Sequence, residues 1–235
     1  ILPMGYIFFM SEQPKLGVKP SNRFSLYRLL PYWYIAAKSS DLKKKPLSVR
    51  IWDTPLVLFR DVQGKAHTLL DRCAHRNVAL SEGDCVEGNI QCPYHGWQFD
   101  GEGKCRKIPA LCASPEGNNR NIPSFPTREQ QGYIWVFTDP TQEPNHNPFL
   151  FPFFDSPKHV SISYTTDFEG SLLTTAENVL DVPHTAFLHK GLFRGGEQNR
   201  IKTVIKRYKD RSECEYIGEP RPSGIIGKIL APGGG

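Results

Sequence analysis

The chain has 235 residues, enough for one large domain or two modest ones built around a real hydrophobic core. Hydrophobic residues at 39%, charged at 23% and aromatic at 11% are ordinary for a folded globular protein and exclude a disordered tail, a coiled coil or a collagen-like rod. The net charge of +5 is spread along the chain apart from the run Lys43 to Lys45, which gives no support to nucleic-acid binding.

Ile1 to Met10 is the one apolar run that suggests targeting, and it is too short to cross a bilayer, so no membrane span is expected. No Lys or Arg precedes it, and Ser11-Glu12-Gln13-Pro14 behind it lacks the small-residue pattern of a cleavage site. Met10 therefore reads as the natural start, residues 1–22 as an N-terminal extension, and the cytoplasm as the compartment. Short strands are expected at Leu47 to Trp52, Leu56 to Arg60, Ala66 to Leu70, Trp97 to Phe99 and Tyr133 to Phe137. Between them, Asp61-Val62-Gln63-Gly64 and Asp100-Gly101-Glu102-Gly103 put glycine where a hairpin needs positive φ. Residues 23–140 thus read as a small antiparallel β domain. The five prolines of 139–157 mark a connector, taken as residues 141–157. Beyond it, Val160 to Phe168 alternates like a strand, Ser171 to Leu180 reads as a helix and Lys202 to Tyr216 again as a strand. Residues 158–235 are then the start of a second, α+β domain that reads as unfinished at Pro232-Gly233-Gly234-Gly235.

Cys73-Ala74-His75 and Cys92-Pro93-Tyr94-His95 each offer one thiolate and one imidazole, with sixteen residues between the pairs. Zinc knuckles usually separate paired ligands by two to four residues, and Cys73 to His75 leaves one. A diiron cluster in which two thiolates hold one iron and two imidazoles the other needs each loop to give one of each. Gly83, Gly88, Gly96 and Pro93 suit loops whose amides approach bridging sulfides. Cys85, Cys105, Cys112 and Cys214 lack such partners and read as small packed residues, kept reduced.

On these two loops, Asp71-Arg72-Cys73-Ala74-His75-Arg76 and Cys92-Pro93-Tyr94-His95-Gly96-Trp97, residues 23–138 resemble the Rieske [2Fe-2S] family. Respiratory-type Rieske proteins add a disulfide cysteine to each loop, where this chain has Val78 and Tyr94, and a serine where it has Trp97. Hydrogen bonds to cluster sulfurs raise the potential, so the missing serine points to the low-potential oxygenase or ferredoxin branch.

A second constellation follows at Asn178, Asp181, His184 and His189. Two histidines and a carboxylate can hold mononuclear Fe(II) on one face, leaving positions for dioxygen and substrate. On a regular helix a five-residue step would leave the two imidazoles about 140° apart, so the helix must break, bulge or end between His184 and His189. Pro183 can start a fresh turn and Lys190-Gly191 can stop one. Downstream of a Rieske domain, Asp181, His184 and His189 resemble the Asp, two residues, His, four residues, His motif of Rieske non-heme iron oxygenases. The short Asn178-x-x-Asp181 spacing and the segment Tyr32-Trp33-Tyr34-Ile35-Ala36-Ala37 resemble the O-demethylase and monooxygenase branch, including vanillate O-demethylase-like and pheophorbide oxygenase-like proteins.

That resemblance implies an all-β Rieske domain followed by the start of a helix-grip catalytic domain. It implies a [2Fe-2S] cluster on Cys73, His75, Cys92 and His95, and a mononuclear Fe(2+) on His184 and His189. Asp181, with Asn178 beside it, would bridge a neighbouring subunit's cluster histidine to an iron ligand. The third iron ligand of the family is an aspartate far toward the C-terminus, and Asp210, Glu213, Glu215 and Glu219 come too early to match it. A homotrimer, an NAD(P)H-dependent reductase or ferredoxin, dioxygen and a small aromatic or polycyclic substrate complete the expectation, with Lys43 to Lys45 as a docking site for an acidic ferredoxin. Two other readings stay open at this point: a Rieske electron carrier without oxygen chemistry, and a zinc-stabilised interaction module.

Overall fold

In the computed structural model the described residues are 31–109, 115, 117–188, 202–208 and 212–217. The expectations for residues 1–22, Cys112, His189, Asp210, Glu219 and 232–235 lie outside them. The described residues fall into two compact units, 31–161 and 162–217.

The strand β3 (Thr54–Arg60) explains the layering of the first unit. Leu56, Val57, Leu58 and Phe59 are all fully buried, a continuous run that only a strand covered on both faces produces. Period-two alternation divides it. Leu56 and Leu58 enter one apolar cluster with Ile134 and Val136, while Val57 and Phe59 enter another with Leu69, Ile90, Phe99 and the two loop cysteines, Cys73 and Cys92. The middle sheet has the order β2-β3-β4-β9, from β2 (Leu47–Ile51), β4 (Ala66–Leu70) and β9 (Ser124–Phe125). On the cysteine side lies a meander of β5 (Asp84–Val86), β6 (Asn89–Gln91), β7 (Gln98–Phe99) and β8 (Cys105–Lys107). On the other lies the sheet β1-β11-β10, from β1 (Trp33–Lys38), β10 (Thr127–Gln130) and β11 (Tyr133–Phe137). Every pairing is antiparallel.

The proline-rich connector packs along the outer face of that last sheet. Phe149 and Phe151 cover Trp33, Trp135 and Phe137. Gln131 accepts from the Phe151 amide at 2.8 Å, Gln130 Nε2 donates to the Phe149 carbonyl at 2.9 Å, and Trp33 Nε1 donates to the His146 carbonyl at 2.8 Å. Side chains thus supply the partners that prolines remove from a backbone ladder.

The second unit holds α1 (Leu172–Leu180), a single 3-10 turn at Val182–His184, α2 (Thr185–Leu188), and a hairpin of β12 (Lys202–Arg207) with β13 (Ser212–Ile217). Ser171 caps α1, its Oγ accepting from the Thr174 amide at 3.1 Å. Two expectations are corrected. Lys202 to Tyr216 is a hairpin rather than one strand. Val160 to Phe168 is not a strand: Val160, Ile162 and Tyr164 alternate as one would be patterned, yet stand 85–89% exposed, and no strand among the described residues pairs with them. Alternation encodes a face, and a strand needs a paired neighbour as well. Among the described residues no helix is long and apolar enough to cross a membrane.

Candidate metal centre

Two loops at one end of the first unit carry the four sequence-predicted cluster ligands, and their backbones are built alike. In the first, between β4 and β5, the Cys73 amide donates to the Val78 carbonyl at 2.8 Å and the Asn77 amide to the Cys73 carbonyl at 2.9 Å. In the second, between β6 and β7, the Cys92 amide donates to the Trp97 carbonyl at 2.8 Å and the Gly96 amide to the Cys92 carbonyl at 3.1 Å. The fourth residue after each cysteine turns through positive φ, Asn77 at 57° and Gly96 at 70°. Asn and Gly are the residues that tolerate that conformation.

The loops bury their sulfurs and expose their imidazoles. Cys73 and Cys92 are 1% and 2% exposed within the core, whereas His75 and His95 are exposed with ring centroids 4.6 Å apart. Burial pushes the Cys73 thiol up to about 11, and the adjacent Cys92 adds to it. Two touching buried thiols ionise together only when a cation compensates them. Partial desolvation, with His95 and Arg76 nearby, holds His75 below the ordinary imidazole value, which favours the neutral form that binds metal. Among the described residues no three Cys, His, Asp or Glu side chains are grouped so as to hold a single metal ion. A thiol pair beside an imidazole pair instead fits a cluster whose two irons each take two protein ligands.

Asp71, two residues before Cys73, is buried and supports the first loop. It accepts from the Ser81 amide at 2.8 Å and the Ser81 hydroxyl at 2.6 Å, tying the start of the first loop to its far side. A second unpredicted contact joins the loops: the Trp97 indole stacks on His75 with centroids 5.0 Å apart and planes 5° from parallel. A carboxylate directly behind the apolar pair Leu69-Leu70 is a sequence signal for the first. The second crosses between loops and has none.

Asp181, Asn178 and His184 lie in the second unit. Helix α1 ends at Leu180 with Asp181 as its cap, the 3-10 turn holding Pro183 follows, and α2 starts at Thr185, directly after His184. His184 Nδ1 donates to the Asp181 carbonyl and lies 3.9 Å from its carboxylate. A hydrogen on Nδ1 is the tautomer that puts the ring's lone pair on Nε2. Asn178 is exposed on α1, and His189 lies outside the described residues.

Residues 32–126 match the family described as the Rieske [2Fe-2S] domain. The chain is 34% identical to the oxygenase component of dicamba O-demethylase from Stenotrophomonas maltophilia, over 84% of this chain and 59% of that protein. It is 36% identical to chloroplastic chlorophyllide a oxygenase of Chlamydomonas reinhardtii, over 70% of this chain and 25% of that one. Among solved structures it superposes on dicamba monooxygenase bound to dicamba with a TM-score of 0.69 at 31% identity, covering 77% of this chain and 54% of the other. The chain therefore spans between a quarter and about three-fifths of the length of these relatives.

Proposed function

Because residues 32–126 form a Rieske [2Fe-2S] domain in a chain whose relatives are Rieske oxygenases, we propose that it is the oxygenase component of a multicomponent monooxygenase. Its electrons come from a separate NAD(P)H-dependent reductase or ferredoxin, and its substrate is a small aromatic or polycyclic molecule that is hydroxylated or O-demethylated. The observation that carries this reading is the division of four ligands into a buried thiol pair and an exposed imidazole pair on two matching loops. In domain terms, residues 23–140 hold the cluster, 141–157 connect, and 158–235 begin the catalytic domain.

Cys73 and Cys92 would hold one iron of the cluster and His75 and His95 the other, while His184 and His189 would hold the mononuclear iron. When bound, the cluster supplies one-electron transfer and the mononuclear iron supplies dioxygen chemistry. The chain's own residues do the positioning. Asp71 and the four loop amide bonds fix the cysteines, and the Asp181 carbonyl fixes the His184 tautomer. Asp181, 58% exposed on its side chain, can accept from an imidazole N–H of a neighbouring copy in a homotrimer, with Asn178 three residues before it in the last turn of α1. Exposed Lys43 to Lys45 suit an acidic ferredoxin, and the compartment is the reducing cytoplasm, which suits the five free cysteines among the described residues.

The test is iron and acid-labile sulfide per chain on anaerobically purified protein, with an EPR spectrum after dithionite reduction. The expected outcome is two irons and two sulfides with a Rieske spectrum, plus further iron lost on His184→Ala. Zinc without sulfide would overturn the reading. Two irons in both proteins would favour an electron carrier.

A further inference from the structure

Nothing in a Rieske ligand set requires its two imidazoles to be supported differently, yet this chain supports them differently. We propose that Trp97 is a positioning residue that fixes the ring plane of His75 and so makes the two histidine ligands inequivalent. The inference rests on the cluster reading above.

His75 is exposed, and the terminal torsion of a histidine is broad, so its imidazole has no intrinsic orientation. Among the described residues it has two ring neighbours. His95 meets it at 57°, which leaves rotation open, while Trp97 lies within 5° of parallel at 5.0 Å, an offset stack that opposes rotation out of plane. The indole is itself held. It packs against the cysteine-side core and near the buried Phe99 at 6.5 Å, and its backbone carbonyl receives the Cys92 amide. The residue on the second loop that closes the hydrogen bond to Cys92 thereby also braces the ligand of the first loop.

The matching loop position shows the asymmetry. Val78 carries the equivalent carbonyl, receiving the Cys73 amide, and its side chain is too short to stack on an imidazole. His95 is met instead by Tyr94 of its own loop, at 3.9 Å and 41°, and that tyrosine is 62% exposed. One imidazole is therefore clamped by a ring anchored in the core and the other leans on a surface ring. His75 is the ligand of fixed plane, and His95 is the one left to adjust to whatever partner covers the exposed edge.

The test compares Trp97→Leu and Trp97→Phe with the parent in two measurements. In the loaded, reduced proteins, pulsed EPR reads the two histidine nitrogen couplings, and voltammetry reads the reduction potential. The expected result is two distinct couplings in the parent, a change in one of them with a shifted potential in Trp97→Leu, and recovery toward the parent in Trp97→Phe. A fully loaded Trp97→Leu with unchanged couplings and potential would overturn the proposal. Because Trp97→Leu can fail to load, NMR of the metal-free chains supplies the second readout. The indole should displace the His75 ring protons upfield in the parent, and Trp97→Leu should abolish that displacement. Equal shifts in the two chains would overturn the stack. A parent chain that binds no iron or sulfide while keeping the upfield shifts would overturn the cluster reading and not the stack.

Discussion

Arg60 joins four separate pieces of the first unit, at Ser39, Leu42, Gly64 and Glu129. Its guanidinium donates to both oxygens of Glu129 at 2.7 and 2.8 Å, to the Leu42 carbonyl at 3.0 Å, to the Gly64 carbonyl at 2.6 Å and to the Ser39 carbonyl at 3.2 Å. A planar fork with five donors is what this arrangement needs, so Lys is no substitute. Arg60→Met should cost about 1–3 kcal/mol at neutral pH, mainly through carbonyls left without donors. The Arg60 hydrogen bonds also hold the Glu129 carboxyl below its ordinary value. A lowered folded value means that the unfolded chain binds more protons, so this contribution is complete above pH ~4.3 and fades as pH falls through the lowered value. Urea unfolding of parent and Arg60→Met should therefore show a stability gap that narrows toward acid pH. A gap that stays constant or widens on acidification would remove Glu129 from the account.

At the scale of elements, the hairpin turns that follow β3 and β7 are copies of one turn. Asp61 Oδ1 accepts from the Gln63 and Lys65 amides, and Asp100 Oδ1 from the Glu102 and Lys104 amides, all at 2.9 Å. Gly64 and Gly103 close them at φ of 82° and 76°. The surroundings differ. A Cβ on Gly64 meets nothing within 4 Å, whereas one on Gly103 would stand 2.0 Å from the Ile122 carbonyl oxygen. Gly64→Ala should then cost about 1–2 kcal/mol, the left-handed penalty alone. Gly103→Ala should cost about 1–3 kcal/mol more from the overlap, so equal denaturation midpoints for the two would refute the steric assignment. These turns were legible because their signal is local: an Asx residue and a glycine three positions on. The buried strand β3 was legible for the same kind of reason, four consecutive apolar residues. By contrast β5, β6, β8 and β9 have two or three residues each, too few for any period to show. Cysteine and histidine spacing singled out the proposed ligands, but the Trp97 stack depends on a contact between segments that spacing does not encode.

Across the whole first unit, the proposed cysteine ligands fall in one of its three apolar cores, and this dictates how it should respond to losing the [2Fe-2S] cluster. Cys73 and Cys92 are members of the cluster of Val57, Phe59, Leu69, Ile90 and Phe99. Neither belongs to the cluster of Leu56, Leu58 and Ile134, or to the aromatic layer of Trp33, Trp135 and Phe137. Metal binding is folding free energy for the segments it ties, and stabilisation by a ligand reaches only states that keep its site formed. Removing it leaves two adjacent protonated thiols inside one core and changes nothing in the other two. Hydrogen exchange before and after stripping iron with a chelator and reductant should therefore lose protection at the Cys73, Asn77, Cys92 and Gly96 amides and along β5 to β8. The amides of β11, paired with both β1 and β10, should keep theirs. Because β3 lines both cores, its protection should fall to an intermediate degree, limited by the face that remains packed. A uniform loss over all three sheets would mean that the unit is one cooperative block, in which the cluster supports the proline-rich strap as much as the loops that hold it.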